Sequence, residues 1–279
     1  MTHAQLVASL FPIVGSKDGI PQMKFGLFHS VQLPNSNAQQ RYYREALDQV
    51  LRAEQLGFDS VWFTEHHFTR HGIVSATLPV LAYLAGVTST IRLGTAVTVL
   101  PFHNPIQLAE DAATVDLLSD GRLDFGVGRG YQWGEYNRLN IPMDEADRRF
   151  EESMEVITQA WTAEEPFDHR GEFWTFNDMT VLPRPVQLPT PPVWVAASSE
   201  NSMNRVATHN WNLLVSQGET FQGVAHQMEY FRRALGEASF EYSPNRITVA
   251  RAMHTAPTAA QARADSEVPF AWFRQTGNE

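Results

Sequence analysis

The chain has 279 residues, with 43% hydrophobic and 19% charged residues, so it can bury a sizeable core and is neither disordered nor collagen-like in composition. Lys and Arg total 21 against 31 Asp and Glu, a formal charge of −10 with no basic run, which excludes the electrostatic footprint of a nucleic-acid binder. The absence of cysteine excludes disulfides, thiolate nucleophiles and cysteine-ligated metal clusters and fits a reducing, cytoplasmic setting. No apolar stretch approaches the roughly 18 residues of a membrane span, so a soluble protein with no membrane partner is expected.

Residues 1–22 lack a basic start and a small-residue cleavage pattern, and they read as an extension preceding a single domain over 23–279. Lys24 to His29 has a buried-strand pattern, and Tyr43, Ala46, Leu47, Val50, Leu51 and Leu56 then recur at helical spacing up to Gly57. Val61 to Thr64 is the second strand, with Glu65, His66 and His67 at its carboxyl end, and Leu78 to Val87 is a helix. Arg92 to Leu100 is the third strand, after which Asn104, Pro105 and Gln107 supply N-cap, N1 and N3 of a helix that stops at Ser119-Asp120-Gly121. Leu123 to Val127 is the fourth strand, followed by a loop rich in glycine and aromatics and a helix from about Asp144 to Trp161. The stripe Phe150, Met154, Ile157, Trp161 on that helix is its core face.

Residues 165–192 interrupt the rhythm with a hairpin turning at Arg170-Gly171 and a proline-rich loop. Strands resume at Val193 to Ala197, Asn212 to Ser216 and Ile247 to Met253, with helices near 200–208 and 221–236 and a partial helix after Ala259. Alternating strands and helices demand parallel pairing, and their number favours an α/β fold of the (β/α)8 barrel type over a doubly wound sheet. Seven strands are visible, and the eighth is missing from this chain.

In such a barrel chemistry gathers at the carboxyl ends of the strands, where His29, Glu65, His66, His103, Arg129, Ser198 and Ser199 fall. Adjacent strand residues point to opposite faces, so His66 and His67 do not readily share a metal ion, and no metal site is expected. His66 shares its side with Trp62 and Thr64, which suits one imidazole available for proton transfer. Gly126-Val127-Gly128-Arg129-Gly130 fails as a dinucleotide fingerprint, because Tyr131 stands where the third glycine belongs. Its glycines would instead let a flat ring approach the backbone, and Arg129 would meet a phosphate, unless the segment is only a tight loop with a surface arginine. Ala196 to Asn201 opens a helix whose N-terminus favours an anion; Ser198 and Asn201 would cap it, with or without a phosphate to meet. No Gly-x-Ser-x-Gly elbow or identifiable carboxylate pair supports hydrolase chemistry.

At Thr64-Glu65-His66-His67-Phe68, Leu93 to Pro101, Asn104-Pro105 with Ala109-Glu110-Asp111, Ser119-Asp120-Gly121-Arg122 and Gly126 to Gly130, the sequence resembles the bacterial luciferase-like family of flavin-dependent oxidoreductases. The resemblance spans about residues 24–256 and implies a (β/α)8 barrel with a flavin at its mouth. It places His66 beside the reactive flavin edge as the catalytic residue, a cis peptide Ala96-Val97 against the ring, and the flavin phosphate on Arg129, Ser198 and Asn201. Glu65, Gly128 and Tyr131 complete the expected cofactor surroundings. Two departures stand out: Ala197 replaces a glutamate of the luciferase α subunit, and Gly128 replaces a cysteine.

The chemistry implied is monooxygenation, in which a separate flavin reductase supplies reduced FMN, oxygen adds at the C4a carbon, and the peroxyflavin oxidises a small organic substrate. Trp62, Phe102, Tyr131 and Trp133 are expected to keep water out, with the 165–192 excursion helping to cover the site. A deazaflavin-dependent dehydrogenase of the same superfamily, a non-catalytic flavin-binding relative and an unrelated barrel such as a metal-dependent hydrolase are the competing readings. Homodimerisation through the helices after strands two and three is the expected assembly.

Overall fold

A computed structural model describes residues 23–276; the expected N-terminal extension lies outside the described residues. The strands are β1 (Gly26–His29), β2 (Ser60–Phe63), β3 (Arg92–Thr95), β4 (Thr98–Val99), β5 (Leu123–Gly128), β6 (Phe167–Arg170), β7 (Thr175–Met179), β8 (Val193–Ala196), β9 (Asn212–Val215) and β10 (Ile247–Val249). The helices are α1 (Gln39–Gln55), α2 (Thr77–Val87), α3 (Pro105–Leu118), α4 (Trp133–Arg138), α5 (Ala146–Thr162), α6 (Glu200–Thr208), α7 (Phe221–Glu237) and α8 (Ala259–Thr276).

All pairs of the main sheet are parallel, in the order β1-β2-β3-β5-β8-β9-β10, with β4 a short continuation of β3 beside β5. This is a (β/α)8-type barrel with seven strand positions filled; among the described residues β1 and β10 do not meet, as the missing eighth strand requires. The third strand read as continuous is two pieces, separated at the cis peptide Ala96-Val97. The short helix α4 has no counterpart in the sequence reading, because six residues carry too little periodicity to announce it.

Local chemistry explains the elements that were read correctly. Asn104 accepts hydrogen bonds from the N–H groups of Ile106 and Gln107 at 3.0 and 3.3 Å, with Pro105 at N1. Helix α3 stops where Asp120 and Gly121 take φ of 54° and 77°, conformations that glycine and aspartate tolerate better than branched residues. Helix α5 buries Phe150, Met154, Ile157 and Trp161, as its stripe demands, and Trp161 donates Nε1–H to the Ala109 carbonyl at 3.0 Å, joining α5 to α3.

Register separates the two faces of the sheet. Phe63, Leu93, Leu123, Phe125, Val127 and Val195 face the helix layer and form the main core. Trp62, Gly94, Asp124, Gly126, Trp194 and Leu214 face the barrel interior, where Trp62 and Trp194 meet edge to face at 5.4 Å. Interior glycines make this possible: a Cβ on Gly94 would fall 2.2 Å from the Trp62 ring, and one on Gly126 would fall 1.7 Å from the Thr95 carbonyl oxygen. Thr95 bonds back, its hydroxyl accepting the Gly126 N–H at 2.9 Å.

The 165–192 excursion contains the expected hairpin, β6 paired antiparallel with β7. Its contacts lie on the outer helix layer and at the amino ends of β3 and β5, where Gln187 donates to the Leu123 carbonyl at 2.8 Å and accepts from Arg92 at 3.3 Å. Glu152 of α5 accepts the N–H groups of Phe173 and Trp174 at 2.9 and 2.8 Å, and Asp116 of α3 accepts those of Val186 and Gln187 at 2.8 and 3.0 Å. The expectation that this excursion covers the barrel mouth is therefore corrected, since these buried carboxylates fasten it to the helices instead. No helix among the described residues is long and apolar enough to cross a membrane.

Because the contact at Gly126 is with rigid backbone, Gly126→Ala is expected to cost about 3 kcal/mol or more, or to prevent folding. A urea melt checks this, and an unchanged midpoint would mean that β3 and β5 do not approach as described.

Candidate functional site

The carboxyl ends of β2, β3, β5 and β8 are neighbours in that order, which sets the sequence motifs side by side. Glu65 leaves β2 and donates its N–H to the Val97 carbonyl at 3.2 Å; a Cβ on Gly128 would meet Val97 Cγ2 at 2.7 Å; and Val127 lies opposite Val195, so Arg129 and Ser198 emerge from adjacent strands. The glycine read as leaving space for a ring is thus already filled at Gly128 by the Val97 side chain. Ala96 and Val97 pack on the interior cluster of Trp62, Trp194 and Leu214, which forms an apolar floor beneath them.

Two buried carboxylates organise the histidines. Glu65 accepts from His103 Nε2 at 2.8 Å, from His67 Nε2 at 2.9 Å and from the Val99 N–H at 3.0 Å. Burial alone would raise its pKa, but the hydrogen bonds from His103, His67 and Val99 outweigh burial and hold it below the ordinary glutamate value. The bond from Glu65, against the opposing effect of burial, raises the pKa of His67. Glu65, expected near the cofactor, therefore spends its carboxylate on fixing the loops around it. Glu135, in the first turn of α4, accepts from His66 Nδ1 at 3.0 Å and from the His67 N–H at 2.8 Å. The rings of His66 and His67, in the loop after β2, bind different carboxylates, and among the described residues no group of three or more His, Cys, Asp or Glu could hold a metal ion.

His66 is buried, and its ring lies edge to face with Tyr131 at 6.2 Å and His71 at 5.5 Å. Burial, with a smaller contribution from His66, lowers the pKa of His71, whose ring meets Phe273 of α8 at 4.8 Å. Tyr131 and Trp133 are exposed at the rim, and Phe102 packs on His67 and Tyr136. Trp62 belongs to the buried floor instead of the rim.

Arg129 is half exposed, and its guanidinium pairs with Asp147 at 3.0 Å. Asp147 also faces Arg205, in the last turn of α6, at 3.5 Å, while Arg205 pairs more closely with Glu151 at 2.9 Å. Tyr136 donates its hydroxyl to the Arg129 carbonyl and steadies that loop. The cap of α6 is Ser199, which exchanges hydrogen bonds with Ser202 in a capping box; the expectation that Ser198 and Asn201 cap the helix is corrected. Their side chains have no hydrogen-bond partner among the described residues.

His29 is a further correction. Its register opposite Phe63 turns it to the helix side of the sheet, where the two rings stack at 5.1 Å and Nε2 has no partner. Glu135 was missed by the sequence reading because nothing near it marks a helix start; only its place shortly after the glycine-rich loop hints at the mouth.

The family model described as luciferase-like monooxygenase matches residues 23–278. The chain belongs to the luciferase-like monooxygenase family. This luciferase-like chain is 36% identical over 197 residues to the oxygenase component of flavin-dependent trigonelline monooxygenase from Acinetobacter baylyi, covering 70% of this chain and 54% of that protein. Of the solved structures, monooxygenase RslO1 from Streptomyces bottropensis superposes with a TM-score of 0.85 at 29% identity, covering 91% of this chain and 78% of that one. The FMN complex of the oxygenating constituent of 3,6-diketocamphane monooxygenase from Pseudomonas putida shares the fold, with a TM-score of 0.80 at 21% identity and coverage of 90% and 73%. The chain spans 54 to 62% of the length of the first curated relatives it matches.

Burial lowers the pKa of His29 to about 4. The unfolded chain, with an ordinary histidine, binds the proton first as pH falls, so His29 costs stability below about pH 6.5. Wild type minus His29→Leu is expected to lose about 2 kcal/mol between pH 7 and 5, read from urea melts. A pH-independent difference would place His29 in water.

Proposed function

We propose that this chain is the oxygenase component of a two-component flavin monooxygenase, binding reduced FMN from a separate flavin reductase and oxidising a small organic substrate with molecular oxygen. The observation that carries the reading is the single row formed by His66, the Ala96-Val97 peptide, Arg129 and the N-terminus of α6 on adjacent strand ends. The name of the Acinetobacter baylyi relative, an oxygenase component, supports a separate source of reductant.

The residues present fit the flavin. Ser198 and Asn201 are exposed and unengaged at the start of α6, whose dipole favours an anion, and Arg129 offers a guanidinium on the neighbouring strand end. In this reading they hold the phosphate, while the Ala96-Val97 backbone and Tyr131 meet the ring system and Gly128 admits the Val97 side chain. Bound reduced FMN would supply the oxygen activation. The protein's part is to bind, to orient and to exclude water: Trp62, Trp194 and Leu214 make an apolar floor, and Phe102, Tyr131 and Trp133 line the upper wall. His66 exchanges a proton with the substrate through Nε2, the ring nitrogen not engaged by Glu135.

The assembly proposed is a homodimer through α2 and α3. Helix α2 carries no charged residue, and Tyr83 and Val87 on it, like Leu117 and Leu118 on α3, are exposed. Tyr83→Asp together with Leu117→Asp is expected to give a monomer by analytical ultracentrifugation, and a wild-type monomer would remove the dimer.

Anaerobic titration with reduced FMN and, in parallel, a reduced deazaflavin tests the cofactor. Selective FMN binding with an oxygen-dependent spectral transient is expected, and Arg129→Gln should weaken that binding about tenfold to hundredfold, as the loss of a charge-assisted hydrogen bond does. Selective deazaflavin binding with no response to oxygen would move the function to hydride transfer. With a substrate in hand, His66→Ala should lower kcat by roughly 10²- to 10⁴-fold while FMN still binds; unchanged turnover would remove His66 from the chemistry.

A further inference from the structure

We propose that Glu135 is a positioning residue that fixes the proton of His66 on Nδ1 and so presents Nε2 as the ring nitrogen with a free lone pair. The kinetic consequence rests on the proposed function; the tautomer does not.

The Glu135 carboxylate is located independently of the ring it serves, because its Oε1 also accepts the backbone N–H of His67 at 2.8 Å. His66 Nδ1 lies 3.0 Å from the same oxygen, and the side chains of His66 and Glu135 are only 9% and 5% exposed. An ionised carboxylate only accepts, so the nitrogen facing it must carry the hydrogen; in a neutral imidazole the other nitrogen is then the acceptor. The ring also lies against Gly72, where an added Cβ would stand 3.0 Å from His66 Cδ2 and 3.3 Å from its Cβ.

Three groups face His66: Glu135 from α4, Tyr131 from the loop before α4, and His71 from the loop after β2. Burial lowers the pKa of His71, which disfavours a competing cation beside the ring. The adjacent His67 is sorted the opposite way, donating through Nε2 to Glu65, which it shares with His103. One carboxylate for each histidine gives two neighbours two different tautomers, and only His66 is left with Nε2 unbound.

The test is long-range proton–nitrogen NMR on flavin-free protein labelled with 15N in its histidine rings, at a pH where they are neutral. The chain has 10 histidines, so the His66 signals are identified by their loss in His66→Gln. Wild type is expected to show the Nδ1–H form of His66, and Glu135→Gln, whose amide can either donate or accept, is expected to show a mixture of both forms. An Nε2–H form in wild type, or an undiminished Nδ1–H form in Glu135→Gln, would overturn the proposal; the wild-type spectrum decides alone if the variant does not fold. In turnover, Glu135→Gln should lower kcat about tenfold to hundredfold, within the range that proton transfer contributes, with KM and FMN affinity changed by less than about twofold. Loss of FMN affinity with the tautomer intact would make Glu135 structural. If neither form of the protein binds flavin, the proposed function fails while the spectrum still decides the tautomer.

Discussion

A carboxylate taken out of water must be given donors, and at the mouth of this barrel that requirement is met twice within a few residues. Glu65 takes its donors from His67, from His103 and from the Val99 N–H, so one buried charge ties the exit of β2 to β4 and to the turn before α3. Glu135 takes its donors from His66 and the His67 backbone, tying α4 to the same segment. Removing either carboxylate would leave several donors unpaired, and the positions of both histidines depend on them. The buried Asp116 does the same on the helix layer, anchoring Val186 and Gln187, and the less buried Glu54 accepts the N–H groups of Ser89, Thr90 and Ile91.

The second constraint is the close packing of the interior. Trp62 lies across β3 because Gly94 has no side chain, and β5 approaches the Thr95 carbonyl because Gly126 has none. The large rings therefore fill the barrel from within and make it a packed floor, as the layered interiors of such barrels require. Chemistry is left to the strand ends, where the candidate row stands on the segments that follow β2, β3, β5 and β8.

The motif Ser119-Asp120-Gly121-Arg122, which carried part of the family resemblance, turns out to be a fastening. Arg122 donates to the Thr88 hydroxyl and Ile91 carbonyl at 2.8 Å each and to the Thr88 carbonyl at 3.0 Å, closing the turn between α2 and β3 against the end of α3. Its place at the far end from the mouth separates motif strength from catalytic role. Arg129 differs: its guanidinium is exposed, shares Asp147 with Arg205 and sits where an anion would meet the α6 N-terminus.

The sequence by itself determined the alternation of strands and helices, and with it the parallel barrel, because hydrophobic period and caps such as Asn104-Pro105 are local signals. The expectation that His66 and His67 do not share one partner holds for their rings, although both lie in the loop after β2 and not on the strand. What only the tertiary structure decided depends on groups distant in the chain: that Glu135, 69 residues from His66, supplies its partner; that Ser199 and not Ser198 caps α6; that the 165–192 excursion lies on the helices; and that His29 turns to the helix side beside Phe63. No pattern along a chain encodes which distant carboxylate a buried histidine will find. That choice is made when the strand ends come together and every buried charge must be given a partner.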